Sequence, residues 1–449
     1  MDGQHHLRRL RKVLRGDVQG ALITLNRSLK MNRITQTWNR IRGNKDAKTL
    51  AGNFMWLSLL QVAGYVFPLI TLPYLARVIG VEGFGKIAFA AAVMVWIQTI
   101  ADWGFNFTAT RDVAQNRDNP QRVARIFSDV LWARCLLMFV SLAVLLLLIC
   151  FIPTFRENWA VLLVSFLMIP GHILFPDWFF QAIERMKYIT ILNLLMKVVF
   201  TVAIFVFIKE QKDYLLQPLF MSLGYVVSGV IALYVILVKW QYRICRPNLG
   251  AIVDTIKAST DVFVNNLFPN LYNSLSIVLL GFWGGPVANG LLDAGSKFVN
   301  IGQQLIQVVS RVFYPFLSRR IEKHQIFVRL NLVLASIGSV LLFVLAPLLI
   351  KWFFTPEFEQ AIPVMRLMSL SIILLALSNV YGTNYLIIVG QERSLRNMTA
   401  IASVIGFVMA IPLIYYWNYM GAAIVITCTR GLLGLMVMIK AKQIQHASN

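Results

Sequence analysis

The stretch Cys135–Ile152, with the sequence CLLMFVSLAVLLLLICFI, contains eighteen consecutive residues without a charge. An α-helix rises about 1.5 Å per residue, so this stretch would reach about 27 Å, close to the roughly 30 Å hydrocarbon core of a bilayer. Similar apolar runs follow one another from about Asn53 to the C-terminal end, with little sequence between them. The stretch predicts a membrane-crossing helix, and its repetition predicts a polytopic membrane protein.

The composition excludes several other classes of protein. Of the 449 residues, 58% are apolar and 14% are charged, whereas soluble domains have roughly 25% charged residues. A soluble chain of this composition would lack the polar surface to cover itself, and a disordered chain would be far less apolar. The four cysteines are widely separated and form no CxxC or Cys/His cluster, so neither a metal site nor a disulfide framework is predicted.

The apolar segments predict an all-α fold with about twelve transmembrane helices. Each segment fits the window of roughly 20 residues that spans a bilayer. The predicted spans, numbered 1 to 12 in chain order, are 53–79, 84–109, 126–152, 157–180, 187–208, 214–238, 258–282, 286–316, 326–352, 361–388, 396–417 and 420–440.

The basic residues predict the orientation of these spans. If the N-terminus is cytoplasmic, the cytoplasmic segments hold 30 Lys and Arg and the outside loops hold four. Cytoplasmic loops of membrane proteins are enriched in Lys and Arg, so both termini are predicted to be cytoplasmic. A net charge of +22 would suggest nucleic acid in a soluble protein. Here the loop distribution explains the charge, and no nucleic-acid partner is predicted.

The spans and linkers predict five regions. Residues 1–48 form a basic cytoplasmic extension with twelve Lys or Arg, and Met31 offers a second start within it. Residues 49–238 and 258–440 each hold six spans, joined by a basic cytoplasmic linker, 239–257, and followed by a cytoplasmic tail, 441–449. Gly80 and Gly85 recur at the same spacing 205 residues later, as Gly285 and Gly290. This favours a parallel repeat of two halves, with chance recurrence as the alternative.

Span 8 carries a polar stripe with helical spacing. Its members share a sector roughly 80° wide and about 27 Å long. They are Asp293, Lys297, Asn300, Gln304, Gln307 and Arg311. An ion facing lipid costs at least a few kcal/mol, so the stripe predicts a wet cavity or polar partners on other helices. The alternative is a structural ion pair between Asp293 and Lys297, which are one helical turn apart.

Cations outnumber acids within the other predicted spans. A cationic interior favours an anionic cargo, and phosphate is the natural match for Arg and Lys. Together with the stripe, the candidate substrate-binding cations are Arg77, Arg134, Lys197 and Arg430. Asp102, Asp293 and His172 are candidates for ion coupling. The alternatives are interhelical ion pairs for the lone ions and a hydrogen-bonded core position for His172.

Four sets of motifs, in this order along the chain, resemble the polysaccharide-transporter family. They are Pro73-Tyr74-Leu75-Ala76-Arg77-Val78-Ile79-Gly80 with Gly83-Phe84-Gly85, Trp103-Gly104-Phe105-Asn106 with Ala109-Thr110-Arg111, Pro176-Asp177-Trp178-Phe179-Phe180-Gln181 with Glu184-Arg185-Met186-Lys187-Tyr188, and Ser378-Asn379-Val380-Tyr381-Gly382. The resemblance covers about residues 46–440. It is greatest to the Wzx-type O-antigen flippases of the multidrug/oligosaccharidyl-lipid/polysaccharide exporter superfamily. Ala182 departs from the family pattern, in which a glycine usually follows the glutamine.

The resemblance implies two six-helix lobes around a central cavity. It also implies transfer of an undecaprenyl-pyrophosphate-linked O-antigen oligosaccharide from the cytoplasmic to the periplasmic leaflet of the bacterial inner membrane. The implied mechanism is alternating access with proton or sodium coupling and without a cofactor. An O-antigen polymerase and a chain-length regulator are candidate partners.

Two other functions fit the sequence less well than a flippase. A cation-coupled multidrug exporter of the same superfamily should have an acidic rather than a basic interior. A membrane polysaccharide polymerase or glycosyltransferase usually needs a large outside loop with catalytic residues, and the predicted outside loops are all short. No catalytic constellation is apparent, so the sequence predicts a transporter and not an enzyme.

Overall fold

The computed structural model describes residues 45–447, which are almost entirely helical and contain no β-strand. Residues 1–44 of the predicted basic extension and the last two residues of the tail lie outside this range. The contacts described below all lie within the compact unit that begins at Leu60.

Two long helices each contain two spans separated by a backbone break. Lys45–Asp102 carries spans 1 and 2 and breaks at Gly80, where φ is 65° and ψ is −178°. Glu392–Ala447 carries spans 11 and 12 and breaks at Asn418, where φ is 51° and ψ is −132°. Gly80 adopts its positive φ without a steric penalty, whereas the positive φ of Asn418 is unusual for a residue with a side chain.

The remaining spans consist of single helices or of consecutive helical segments. Span 2 is followed by a short helix, Phe105–Gln115. Four spans are single helices: span 3 is Pro120–Phe151, span 5 is Met186–Phe207, span 8 is Gly285–Leu317 and span 9 is His324–Phe353. Three spans have two segments each: span 6 is Leu216–Tyr234 continued by Val235–Lys239, span 7 is Leu249–Tyr272 with Ser274–Trp283, and span 10 is Ala361–Leu377 continued by Ser378–Leu386. Span 4 has four short segments, Pro153–Glu157, Trp159–Phe166, Met168–Leu174 and Asp177–Ala182.

These helices confirm the prediction of twelve spans. By length and apolarity alone, eight of the described helices could cross a membrane, and the two longest hold two spans each. Spans 7 and 8 account for the other two. Span 7 is interrupted at Asn273, and span 8 carries the polar stripe, so neither is apolar and continuous enough to be found by those criteria.

Exposed apolar side chains mark the faces that contact lipid. In span 3, Phe139, Leu147 and Phe151 are exposed, and in span 9, Ile337 and Val344 are exposed. Such contiguous apolar surface would be unfavourable in water and is the expected surface in a bilayer. The polar stripe of span 8 therefore stands out against the otherwise apolar outer faces.

A central cavity and its closed ends

A cavity of about 330 Å³ lies between the halves of the bundle. Most of its wall consists of apolar side chains from spans 1, 2, 5 and 6, including Pro68, Leu75 and Phe84. Its charged lining residues are Lys197 of span 5 and the pair Asp293 and Lys297 of span 8. The cavity thus combines apolar walls with two cations and one acid.

The first two members of the span 8 stripe form an ion pair in the cavity wall. The Lys297 ammonium lies 2.8 Å from a carboxylate oxygen of Asp293 and 5.5 Å from the ring centre of Phe84. The Lys297 side chain is 39% exposed, so the pair remains accessible from the cavity. Asp293 and Lys297 therefore form the ion pair of one alternative and also line a cavity, as in the other.

The rest of the stripe continues toward the predicted cytoplasmic end and stays out of the packed core. Asn300, Gln304 and Arg311 are exposed, and Gln307 is half-buried. Gln304 accepts a 3.4 Å hydrogen bond from the Gln61 amide of span 1. The substrate-binding role of these four residues stays a prediction.

Lys197 differs from Lys297 in having no nearby carboxylate. Among the residues whose side chains the structure describes, no acid lies within 4 Å of its ammonium. The side chain is half-buried in the cavity wall, beside Met196 and Phe200. A cation in such a place is available to an anionic group that enters the cavity.

Arg134 lies apart from the cavity, in a buried network of the N-terminal half. Its guanidinium is 2.9 Å from a carboxylate oxygen of Asp102 and donates a 2.6 Å hydrogen bond to the side-chain amide oxygen of Asn106. His172 lies 3.2 Å from the same carboxylate and 3.2 Å from the Gln98 amide. Two of the three predicted coupling residues, Asp102 and His172, are thus brought together, whereas Asp293 lies in the cavity wall.

This network adjoins the cavity through one aromatic contact. The His172 ring packs edge-on against Tyr225, at a centroid distance of 6.2 Å, and Tyr225 lines the cavity. A change of charge on Asp102 or His172 would therefore occur one side chain away from the cavity wall.

Removing Arg134 is expected to destabilise the protein. Only 1% of its side chain is exposed, and Arg134→Ala would leave the Asp102 carboxylate buried without its cation. Breaking a buried pair in this way costs about 3–5 kcal/mol. We expect a lower melting temperature in detergent for Arg134→Ala, and a smaller decrease for the neutral pair Asp102→Asn with Arg134→Gln. An unchanged melting temperature for the single variant would contradict the structural role of this ion pair.

The two other candidate cations also lie outside the cavity lining. Arg430 donates to the Ser371 hydroxyl at 3.2 Å and to the side-chain amide oxygen of Asn273 at 3.1 Å, within a cluster of neutral polar groups. Gln303 of span 8 donates to the same Ser371 hydroxyl at 2.7 Å. Arg77 is exposed near the end of span 1. The structure therefore brings together Lys197 and Lys297, but not Arg77, Arg134 or Arg430.

Gly85 and Gly290, the second glycines of the repeat, bring the two halves into backbone contact beside the cavity-lining Phe84, at one end of the cavity. A Cβ atom on Gly85 would lie 1.6 Å from the Pro286 carbonyl oxygen, and one on Gly290 would lie 2.3 Å from the Val81 carbonyl oxygen. Only glycine permits backbones to approach so closely. We call this end the outer end, because the charge distribution predicts that it faces the periplasm.

Aromatic rings from the loop between spans 9 and 10 complete this closure. The Phe84 ring meets Phe354 and Phe358 edge-on, at centroid distances of 6.0 and 5.7 Å. The Val81 amide donates a 3.3 Å hydrogen bond to the Glu357 carboxylate. Backbone contact, aromatic packing and a hydrogen bond therefore hold the two halves together at the outer end.

The opposite, inner end is held by span 7. The Trp103 ring stacks on Phe263 with a centroid distance of 3.9 Å, and its indole N–H donates to the Ile256 carbonyl at 3.1 Å. Thr108 and Ser259 share a 2.7 Å hydrogen bond. The first part of span 7 thus packs against the N-terminal half.

Sequence reasoning missed most of the cavity wall. Thr71, Met221 and Tyr225 line the cavity, and none was singled out from the sequence. Their residue types are ordinary for a membrane helix, and only the packing of spans 1, 5 and 6 brings them together. Pro68 and Pro73, both inside the helix of span 1, were signals that the sequence did offer.

A family model described as polysaccharide biosynthesis protein matches residues 50–321, which is more than half of the chain. The chain belongs to this family. Two curated relatives, from Escherichia coli (strain K12) and Shigella dysenteriae, both carry the name "Putative O-antigen transporter". The first is 27% identical over 405 residues, covering 88% of this chain and 97% of the relative. The second is 24% identical over 398 residues, covering 87% of this chain and 99% of the relative.

Solved structures share the fold at low sequence identity. The lipid II flippase MurJ in an inward closed conformation has a TM-score of 0.71 and 13% identity, covering 86% of this chain and 87% of that one. An outward-facing multidrug resistance MATE family transporter of the MOP superfamily has a TM-score of 0.55 and 13% identity, covering 91% and 97%. These likenesses confirm the all-α fold of twelve spans in two lobes. The family and its relatives support a multi-pass membrane transporter.

Proposed function

We propose that this protein moves an undecaprenyl-pyrophosphate-linked O-antigen oligosaccharide from the cytoplasmic to the periplasmic leaflet of the bacterial inner membrane. The observation that carries this proposal is Lys197, which has no carboxylate within 4 Å among the described side chains and lies with Lys297 in a cavity of otherwise mostly apolar walls. A pyrophosphate needs cationic partners, whereas the polyprenyl chain can stay in the surrounding bilayer.

Cavity size supports a mechanism of alternating access. At about 330 Å³, the cavity is at the lower end of the range of small-molecule sites. An oligosaccharide would need the lobes to separate at one end and then at the other. The glycine contact at the outer end and the span 7 contact at the inner end are the two places where the lobes would part.

The Asp102 and His172 network supports ion coupling as part of the same proposal. A carboxylate and an imidazole 3.2 Å apart can share or exchange a proton. Binding of a proton to Asp102 would compete with its ion pair to Arg134. An export cycle could use this competition to link proton entry with movement of the nearby cavity wall.

A cationic-drug exporter fits the cavity less well. Its cargo would meet two ammonium groups and one carboxylate that is already paired with Lys297. Repulsion between these ammonium groups and a cationic cargo is strong in a cavity of low dielectric constant, and it disfavours binding of the cargo.

Lys197→Gln tests the proposed cavity site. Loss of one charge-assisted hydrogen bond costs about 1.5–3 kcal/mol, so we expect about a tenfold or greater decrease in transport. The measurement is surface O-antigen in cells that depend on this protein, with membrane abundance determined in parallel. Lys351→Gln, which removes an exposed lysine at the predicted outer surface, is the matched control. Equal surface O-antigen in the wild type and Lys197→Gln would refute the assignment of Lys197.

A further inference from the structure

The motif that runs from Pro176 to Tyr188 has no part in the cavity, yet it builds a separate pocket. The aromatic half of the motif belongs to the hydrophobic core, because Trp178, Phe179 and Phe180 are at most 2% exposed. The Phe180 ring packs on Trp240, at 5.7 Å, and the Phe179 ring packs on Tyr242, at 5.4 Å. The motif is thereby fixed to the linker that joins the two halves of the chain.

Two strained turns face each other above this aromatic layer. Glu184 and Gln241 both have a φ of 58°, which is unusual for residues other than glycine. Backbone strain of this kind persists only where the surrounding structure enforces it, and it is frequent at binding sites. Here it positions Ile183 and Arg185 from one loop against Trp240 and Tyr242 from the other.

The resulting Arg185 pocket has a volume of about 370 Å³ and contains no acidic residue in its lining. It is lined by Arg117, Val123, Ile183, Arg185, Trp240 and Tyr242. The Arg185 guanidinium lies 4.8 Å from the Trp240 ring centre, in a cation–π contact. Arg117 is held by a 2.8 Å hydrogen bond to the Ala182 carbonyl and a 2.9 Å ion pair with Glu184.

Its position and chemistry fit a phosphate group. The three contributing segments, 110–125, 181–187 and 239–257, are all predicted cytoplasmic loops. Cytoplasmic loops of membrane proteins are generally enriched in Lys and Arg, so basic residues in these loops do not by themselves indicate a bound ligand. Two pre-positioned guanidinium groups beside a Trp and a Tyr are more specific, because Arg matches phosphate geometry and these aromatic residues favour the membrane interface.

We infer that the Arg185 pocket binds the phosphate headgroup of a lipid in the cytoplasmic leaflet. The pocket shares no residue with the cavity, so this inference does not depend on the cargo of the transporter. The lipid could be an abundant anionic phospholipid or a polyprenyl pyrophosphate, since both present the same chemistry. Bound there, it would tether the linker and the loop between spans 4 and 5 to the membrane surface.

Native mass spectrometry of the delipidated full-length protein tests this inference. The protein is mixed with equal amounts of dioleoylphosphatidylglycerol and dioleoylphosphatidylcholine, and bound lipids are counted. We expect the wild type to retain phosphatidylglycerol preferentially, and Arg185→Gln to lower this preference at least about threefold, the size expected for one contact at an exposed guanidinium, where solvent screens the charge. Arg185→Lys should give an intermediate value, because the charge remains without the planar guanidinium.

Arg243→Gln is the matched control, since Arg243 is exposed on the same linker and does not line the pocket. It removes the same charge and should leave the preference unchanged. Equal losses in Arg185→Gln and Arg243→Gln, or no preference in the wild type, would overturn the inference in favour of nonspecific surface charge.

Added undecaprenyl pyrophosphate and inorganic pyrophosphate distinguish the sources of the phosphate. Displacement of phosphatidylglycerol by the polyprenyl compound alone would identify a cargo-type lipid. Retention of phosphatidylglycerol against both would identify the bulk phospholipid. Displacement by inorganic pyrophosphate at the same concentration would show that the lipid portion is not recognised and would contradict a lipid site.

Discussion

Alanine at Gly85 is expected to reduce transport by about tenfold or more while the protein still reaches the membrane. The added Cβ would lie 1.6 Å from the Pro286 carbonyl oxygen, so one of the two backbones must move away at the outer end. Overpacking of this kind costs about 1–3 kcal/mol or more, so the population should shift away from the closed form. Gly290→Ala should act in the same way, through the Val81 carbonyl. Surface O-antigen and membrane abundance are the measurements.

Gly338→Ala is the control, because a Cβ on Gly338 would meet no atom within 4 Å.

A second readout separates opening of the outer end from misfolding of the protein. In a protein without native cysteines, Leu75→Cys places a thiol in the cavity wall. A membrane-impermeant maleimide added from the periplasmic side should label it faster in the Gly85→Ala background. Unchanged labelling together with normal transport would show that the glycine contact is not a gate.

Lys297→Ala is expected to produce a loss of similar size. The change removes a cavity cation and leaves the Asp293 carboxylate without its 2.8 Å partner, in the wall that an anionic cargo would pass. One contact with a charged group is worth about 1.5–3 kcal/mol, which corresponds to about tenfold or more in transport. Surface O-antigen at matched membrane abundance is again the measurement.

The neutral pair Asp293→Asn with Lys297→Gln separates loss of the cation from exposure of the acid. If Lys297 contacts the cargo, the double variant should remain impaired, although less than Lys297→Ala. If the double variant transports normally, Asp293 and Lys297 form only a structural ion pair and the cavity role of Lys297 is wrong.

Much of the fold could be predicted because a bilayer restricts which sequences can cross it. The apolar stretch around Leu145 could only be a span, and the positions of all twelve spans followed from the same constraint. The predicted glycine repeat was also informative, since Gly85 and Gly290 lie on the helices where the two halves meet, shortly after the positive-φ residues Gly80 and Gly285. Of the stripe of span 8, the structure places Asp293 and Lys297 in the cavity wall, and the role of its other members stays a prediction.

The candidate site could be predicted only in part, because an embedded charge does not reveal its partner. Lys197 and Arg134 looked alike in the sequence, as single cations in apolar runs. Packing places Lys197 in the cavity wall and Arg134 against Asp102. Arg430 likewise faces Ser371 and Asn273 from distant parts of the chain. These pairings depend on which helices are neighbours, and local spacing along one helix carries no information about that.

Transport by the purified protein tests the central claim most directly. The protein would be reconstituted into vesicles with a fluorescent undecaprenyl-pyrophosphate-linked oligosaccharide, and a proton or sodium gradient would be imposed. A membrane-impermeant reagent that destroys accessible fluorophore reports the leaflet in which the oligosaccharide lies. We predict protein-dependent movement between leaflets that Lys197→Gln slows by about tenfold or more, from the loss of one charge-assisted contact. Movement at the rate of protein-free vesicles under either gradient, or equal rates for the wild type and Lys197→Gln, would contradict the account.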